Sequence, residues 1–173
     1  MNLVVEPLDA AAVRAHLPAL CGLLIDSVDG GASVGFVQPM TTAKAQHYWA
    51  GVADAVARGE AVLLVARDGD GAVAGTVQLV PALKENQPHR ADVSKLLVHR
   101  RVRRLGVGAQ LVRAVEAVAR RMGRTVLVLD TATPEAERLY RREGWSVCGS
   151  IPDYALRPDG SRCGTTFYFK DLS

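Results

Sequence analysis

Arg103-Arg104-Leu105-Gly106-Val107-Gly108-Ala109 is the stretch that decides how this 173-residue chain is read. Ahead of it, Arg90–His99 has the makings of a strand. Behind it, Val107, Leu111, Val115, Val118 and Met122 recur at helical spacing, which predicts a helix over about Gly106–Met122. A turn carrying two glycines lets the backbone bend tightly and come close to a ligand. The helix that follows points partnerless N–H groups and a positive dipole outward, and Arg103 and Arg104 add full charge. A pyrophosphate fits such a turn. The pattern lacks the Gly-Lys-Ser/Thr ending of a nucleotide-hydrolase phosphate loop, and it lacks the third glycine of a dinucleotide fingerprint.

Outward from this turn, the chain alternates between the two periodicities. Asn2–Glu6 reads as a strand, and Asp9 as the N-cap of a helix carrying Val13, Leu17, Leu20, Leu24 and Val28. Pro18 must bend or restart that helix, and Asp29–Phe36 ends it. A second helix from about Thr42 puts Ala45, Trp49, Val52 and Val56 on one face and stops at Gly59. Ala61–Ala66 and Ala72–Val80 are strands around the Asp68–Gly71 hairpin turn, and the polar loop Lys84–His89 leads into Arg90–His99. Thr125–Leu129 is a continuous apolar run of the kind buried on both faces. Pro134–Glu143 is a short helix stopped by Gly144. Strands near Trp145–Ser150 and Thr165–Lys170 flank a loop holding the turn Pro158-Asp159-Gly160. The order β-α-α-β-β-β-α-β-α-β-β contains no linker or repeat. It predicts one α/β domain over residues 1–173: a mixed, mostly antiparallel seven-stranded sheet flanked by helices, with a central β-α-β crossover.

Composition narrows the function classes. With 49% hydrophobic and 23% charged residues the chain can build a core, and with only 5% aromatics that core is made of Val, Leu and Ala. No apolar run reaches membrane-helix length, and the opening MNLVVEPLD lacks the form of a leader peptide, so a cytoplasmic protein is expected. Cys21, Cys148 and Cys163 form no C-x-x-C pair, which argues against a disulfide framework or a zinc ribbon. His16, His47, His89 and His99 show no ligand spacing, so no metal is expected. A net charge of +3 is too mild for a nucleic-acid binder. Arg100 and Arg101 read as solvated basic surface, with no aromatic residues between the arginines to stack on bases.

Arg-x-x-Gly-x-Gly after a strand that closes a β-meander resembles the acyl-CoA signature of the GCN5-related N-acetyltransferases (GNAT). Downstream, Ala136-Glu137-Arg138-Leu139-Tyr140-Arg141-Arg142-Glu143-Gly144-Trp145 is similar to the second signature of that family. Gly30–Phe36, Arg90–Leu96 and Pro158-Asp159-Gly160 further resemble its tabtoxin-resistance acetyltransferase branch, whose members acetylate a small antimetabolite.

The resemblance implies acetyl-CoA as co-substrate and direct transfer of its acetyl group to the amine or hydroxyl of a small molecule. Arg103, Arg104, Gly106, Val107, Gly108 and Ala109 then belong to the pyrophosphate and its approach. The backbone of Leu97 and Val98 pairs with the pantetheine arm as with another strand, and lies where it can stabilise an oxyanion. Tyr140 is the family's acid for the leaving thiolate, against the alternative of a core aromatic. Asp92 and Asp130 are candidate bases. Asp130 closes a buried strand, where ligands of α/β sheets bind, although it also suits a cap for the Thr131–Thr133 backbone. The branch has Glu where this chain has Asp92, and the shorter side chain suggests a relay through water. Where many members place an Asn that contacts the cofactor, this chain reads Thr131–Glu135. Ser33, Phe36 and Tyr154 are expected to hold the acceptor, whereas Trp49 fits the core stripe. A monomer or homodimer is expected. Two alternatives keep the same fold: a peptide or protein N-acetyltransferase, and a non-catalytic acyl-CoA-binding sensor.

Overall fold

The computed structural model describes residues 3–173. Seven strands form one sheet: β1 (Val4–Leu8), β2 (Val62–Arg67), β3 (Val73–Pro81), β4 (Arg90–Val98), β5 (Val126–Thr131), β6 (Ser146–Leu156) and β7 (Arg162–Asp171). Their order across the sheet is β1-β2-β3-β4-β5-β7-β6. Only β4 and β5 run parallel, joined through α4 (Val107–Arg121); every other neighbouring pair is antiparallel. The remaining helices are α1 (Ala10–Ala15), α2 (Leu17–Asp29), α3 (Thr42–Ala57) and α5 (Pro134–Arg142).

Alternation along the strands feeds two cores. Leu64, Val77, Leu79, Ala91, Val93, Leu127, Leu129 and Tyr168 turn toward α4 and α5. Leu63, Val65, Val73 and Leu97 turn toward α1–α3, where Trp49 is fully buried as its helical stripe requires. Burying one apolar stripe per helix against a shared sheet gives the layered architecture expected from the element order.

Several local expectations change. The first strand is Val4–Leu8; Asn2 lies outside the described residues. The helix restarts at Leu17, because Pro18 occupies the first turn, where its missing N–H costs nothing. Met122, assigned to the buried stripe, follows the last turn of α4 and is exposed. Thr125–Leu129 is not buried on both faces: Leu127 and Leu129 are buried, whereas Val126 and Val128 are half-buried because their face opens on a cleft. The expected loop around Tyr154 is strand. β6 runs on through Tyr154 to Leu156, taking up a register shift between Ile151 and Ala155, so that only Arg157–Ser161 remains as a turn.

Two irregularities shape the centre. Between Thr76 and Gln78 of β3, β4 fits one residue too many, Leu97 standing opposite Thr76 and Ser94 opposite Gln78. Lys95, on this β-bulge, has φ +50°. The bulge reverses the phase of β4: before it Ala91 and Val93 face α4, after it Leu97 faces α2. Gly75 accommodates the distortion, since a Cβ there would lie 2.6 Å from the Leu97 carbonyl oxygen. The second irregularity is a parting of strands. β4 and β5 pair only at Arg90–Val126, Ala91–Leu127 and Asp92–Val128. Beyond Asp92 the β5-facing edge of β4 has no strand partner, and the two strands frame a gap.

Candidate active site

The gap is closed at one end by the glycine turn. Gly106 is the N-cap of α4 with φ +85°, a conformation that favours glycine, and it supplies no capping side chain. The first-turn N–H groups of Val107, Gly108 and Ala109 therefore lack intrahelical acceptors and point outward. Arg104 adopts φ +64° in the same turn and stands exposed; the Glu135 carboxyl at the start of α5 is held below its usual range by its own backbone N–H and by Arg138, with the smallest share from Arg104. Arg103 is exposed and donates from Nε to the Val98 carbonyl at 3.3 Å. Gly108 sets α5 against α4, for a Cβ there would lie 3.1 Å from Leu139. Leu97 is buried and Val98 half-buried, both on the stretch of β4 past the parting.

Arg100 and Arg101 are exposed, as expected for basic surface, but each is paired with an acid. Arg100 donates from its backbone N–H (2.9 Å) and its guanidinium (2.8 Å) to Asp26, pinning α2 to the end of β4. Arg101 pairs with the buried Asp68 at 2.6 Å. Burial works to raise the Asp26 carboxyl, but the Arg100 donors, with the nearby His99, outweigh it and hold it below the usual range.

Tyr140 sits on the α5 side of the gap, its ring centroid 5.6 Å from that of Trp145 and 5.9 Å from that of Tyr168. Burial, with the charge of Asp130 added, pushes the phenol well above its ordinary value and keeps it protonated. Its hydroxyl makes no hydrogen bond among the described residues. Nor is it sealed, since the buried polar atoms without partners are Trp49 Nε1 and Arg124 Nε. The residue is both core aromatic and available donor.

Asp130 points to the opposite face, because it follows Leu129 in a strand whose Leu127 and Leu129 face α4. It does not cap the following backbone. Its Oδ2 accepts from Thr165 Oγ1 at 2.8 Å, while Thr131 receives the Thr133 N–H and Thr133 caps α5. This explains the threonines where the resemblance implied an asparagine: they build the start of α5. Asp92 shares the face of Asp130 but lies where β4 and β5 still pair. It is half exposed and bound to Arg90 at 2.7 Å.

Loop 30–41 and α3 roof this face. The Ser33 hydroxyl lies 3.6 Å from the Cys163 sulfur on β7, and the Gln38 N–H donates to the Pro158 carbonyl at 2.9 Å. Phe36 meets Tyr48 edge-on at 5.3 Å. Tyr48 accepts from Gln78 at 2.8 Å, and burial still pushes its phenol up to about 12. Tyr154 packs edge-on against Phe167, the β7 residue in register with Asp130. Ser33, Phe36 and Tyr154 thus lie on the Asp130 side of the sheet. A 300 Å³ cavity bounded by Thr131, Glu137, Ile151 and Thr165 adjoins the end of β5. A 480 Å³ cavity lies elsewhere, between His16, Arg67 and Arg101.

Sequence reasoning passed over Lys95, Tyr48, Gln78 and Thr165. The slip in alternation from Ala91 and Val93 to Leu96 and Val98 marks the bulge and therefore Lys95. The other three come from distant segments and carry no local signal.

A sheet parted beside a helix N-terminus, with a carboxylate on one side and a phenol on the other, defines a scaffold for acyl transfer. Residues 32–145 match the profile of the Acetyltransferase (GNAT) family. The chain belongs to that family and is an acetyl-CoA-dependent N-acetyltransferase. It is 34% identical over 156 residues to an uncharacterized N-acetyltransferase of the hisH–hisA intergenic region of Azospirillum brasilense, covering 87% of this chain and 90% of that one. The fold is similar to a GNAT superfamily phosphinothricin acetyltransferase from Sinorhizobium meliloti in complex with acetyl-CoA, with a TM-score of 0.79 and 19% identity over 100% of this chain and 90% of that one. It is also similar to the ribosomal-protein-alanine N-acetyltransferase of Brucella melitensis, with a TM-score of 0.78 and 22% identity over 98% and 99%. Among the described residues no three His, Cys, Asp or Glu side chains are grouped to hold a metal ion, and no helix is long and apolar enough to cross a membrane.

Proposed function

We propose that residues 1–173 act as one domain that transfers acetyl directly from acetyl-CoA to a small amine, both substrates being bound together. The observation that carries this reading is the pairing of β4 with β5 only as far as Asp92. Past it, a free strand edge faces a gap with Asp130 on one side and Tyr140 on the other. A small acceptor suits the cleft better than a peptide, because loop 30–41 is tied over it to Cys163 and Pro158. The structural relatives are named for acceptors as unlike as phosphinothricin and a ribosomal-protein alanine. The side chains lining the cleft, rather than the fold, then choose the acceptor, and Gly30–Phe36 and Pro158–Gly160, which carry the tabtoxin-resistance resemblance, lie at its roof.

Acetyl-CoA supplies an activated acetyl carbon and a thiol leaving group. Val107, Gly108 and Ala109 offer N–H groups to its pyrophosphate, with Arg103 and Arg104 adding charge. The β4 edge at Leu97 and Val98 pairs with its amide arm. Asp130, with Oδ1 free, takes the proton an acceptor ammonium must lose; Asp92, held by Arg90 further down the strand, serves at most through water. Tyr140 donates its hydroxyl proton toward the sulfur. Holding both substrates in one gap removes the entropic cost of their encounter during the reaction. The free thiols of Cys21, Cys148 and Cys163 accord with a reducing, cytoplasmic setting.

The test is calorimetric titration with acetyl-CoA of the wild type and a Gly106→Glu variant, followed by thiol release with small amines and with peptides. The variant is expected to bind at least about tenfold more weakly, since it sets a carboxylate against the phosphate turn and strains a left-handed residue. Equal binding moves the cofactor elsewhere, and turnover of peptides alone overturns the small-amine reading. Tyr140→Phe is expected to lower kcat about 10²-fold while leaving acetyl-CoA affinity within twofold. Unchanged turnover removes Tyr140 from the chemistry.

A further inference from the structure

Lys95 is a charge in the cleft that neither the fold nor the proposed proton transfers use. The half-buried lysines and arginines of this chain otherwise reach acceptors: Arg67 holds Glu6, Arg90 holds Asp92, Lys170 holds Glu116, and Arg124 donates to the Pro88 carbonyl. Among the described residues Lys95 has no carboxylate at ion-pairing distance and donates no hydrogen bond, although three-way packing holds its Nζ in place. The nitrogen lies 5.9 Å from the ring centre of Phe36 and 5.5 Å from that of Tyr48. A Cβ on Gly35 would lie 3.6 Å from it. The backbone beneath is the strained residue of the β4 bulge, at φ +50°. A cation is thus held by aromatic faces and a distorted strand, aimed beneath the acceptor roof, and left unpaired.

Asp130 completes the picture. It looks onto the same face of the sheet, near enough for its charge to act on Lys95 yet too far to form a pair. Burial pulls the Lys95 ammonium below the usual lysine range, and Asp130 works against that pull. Two opposite charges that face one cleft without neutralising each other match a ligand that carries both.

We infer that Lys95 is the anion-recognition residue of the acceptor site, and that the acceptors are amines bearing a carboxylate or a similar anion a few bonds from the nitrogen. This rests on the small-amine reading above. Asp130 receives the ammonium end and Lys95 the anionic end. The Phe36 and Tyr48 rings hold the Lys95 nitrogen, at 5.9 and 5.5 Å from their centres, where it does not pair with Asp130. Burying an unpaired cation is costly, and an anionic acceptor removes that cost only when bound, so the preference appears as affinity.

The experiment compares matched acceptors, amino acids and their methyl esters, by thiol release at saturating acetyl-CoA in the wild type, Lys95→Met and Lys95→Gln. The wild type is expected to favour the free acid at least tenfold in kcat/KM. Either variant is expected to bring that ratio close to one, chiefly through a higher KM for the acid. A wild-type ratio near one overturns the inference by itself, whether or not the variants fold. A ratio that persists in a folded variant overturns it as well, leaving Lys95 as packing for Phe36 and Tyr48. Binding of acetyl-CoA without turnover of any small amine is a different result: it defeats the small-amine reading and takes this inference with it.

Discussion

Asp130→Asn is expected to lower kcat/KM for amine acetylation by about 10²–10⁴, the usual contribution of a positioned base. Asparagine fills the same volume, and its carbonyl can still accept from Thr165, which holds the wild-type carboxylate at 2.8 Å. What it cannot do is take a proton. Acetyl-CoA affinity is expected to stay within twofold, because the glycine turn and the β4 edge are untouched. The substitution also removes a charge that raises Tyr140, so the phenol should titrate at lower pH in the variant while remaining protonated through the neutral range. The activity loss therefore belongs to the acceptor side of the reaction. Steady-state thiol release combined with calorimetry checks the separation. A loss below about fivefold transfers the base role to Asp92 acting through water.

The second large effect concerns stability. Lys170→Met is expected to cost about 3–5 kcal/mol, the range for removing one partner of a buried ion pair. Lys170 donates to both oxygens of Glu116 at 2.8 Å and to the Glu143 carbonyl at 2.6 Å, and Glu116 also accepts from the Trp145 indole at 2.9 Å. Glu116 is 5% exposed, so without Lys170 its charge is left where water reaches it poorly. In a chain of this size the thermal midpoint should fall by about 10 °C. The double variant Glu116→Gln/Lys170→Met keeps an acceptor for Trp145 and removes the stranded charge. It should recover more than half of the loss. Urea unfolding measures both, and a single-variant loss below about 1 kcal/mol would mean that water screens the pair. The network ties α4, the end of α5 and β7 together behind Tyr140, so its loss should also blunt activity.

Much of this was legible in the chain. The strand–turn–helix around Gly106, the helical stripes that bury Trp49 and Val118, and the apolar Leu127 and Leu129 all express rules acting within one or two turns of the backbone. Their sum was enough for seven strands in the right chain order, while the family came from the resemblance of Arg103–Gly108 and Ala136–Trp145 to its two signatures. Errors arose where a side chain's surroundings come from far along the chain. Tyr154 looked like loop because Pro152 and Asp153 interrupt it, yet pairing with β7 carries the strand through. Arg100 and Arg101 are exposed as expected, but their ion pairs were not legible because Asp26 and Asp68 lie 74 and 33 residues away. Asp92 and Asp130 looked equivalent by type. Strand pairing separates them, placing one where β4 and β5 are still joined and the other where they have parted.

The sequence by itself determined most of the elements, their order and the glycine turn, because hydrophobic periodicity, proline and glycine act locally. Only the tertiary structure decided which charges pair and which stay open. Coulomb attraction and desolvation depend on distance through space, and the bulge at Lys95, the parting of β4 from β5 and the roof from loop 30–41 bring together residues that the chain keeps far apart.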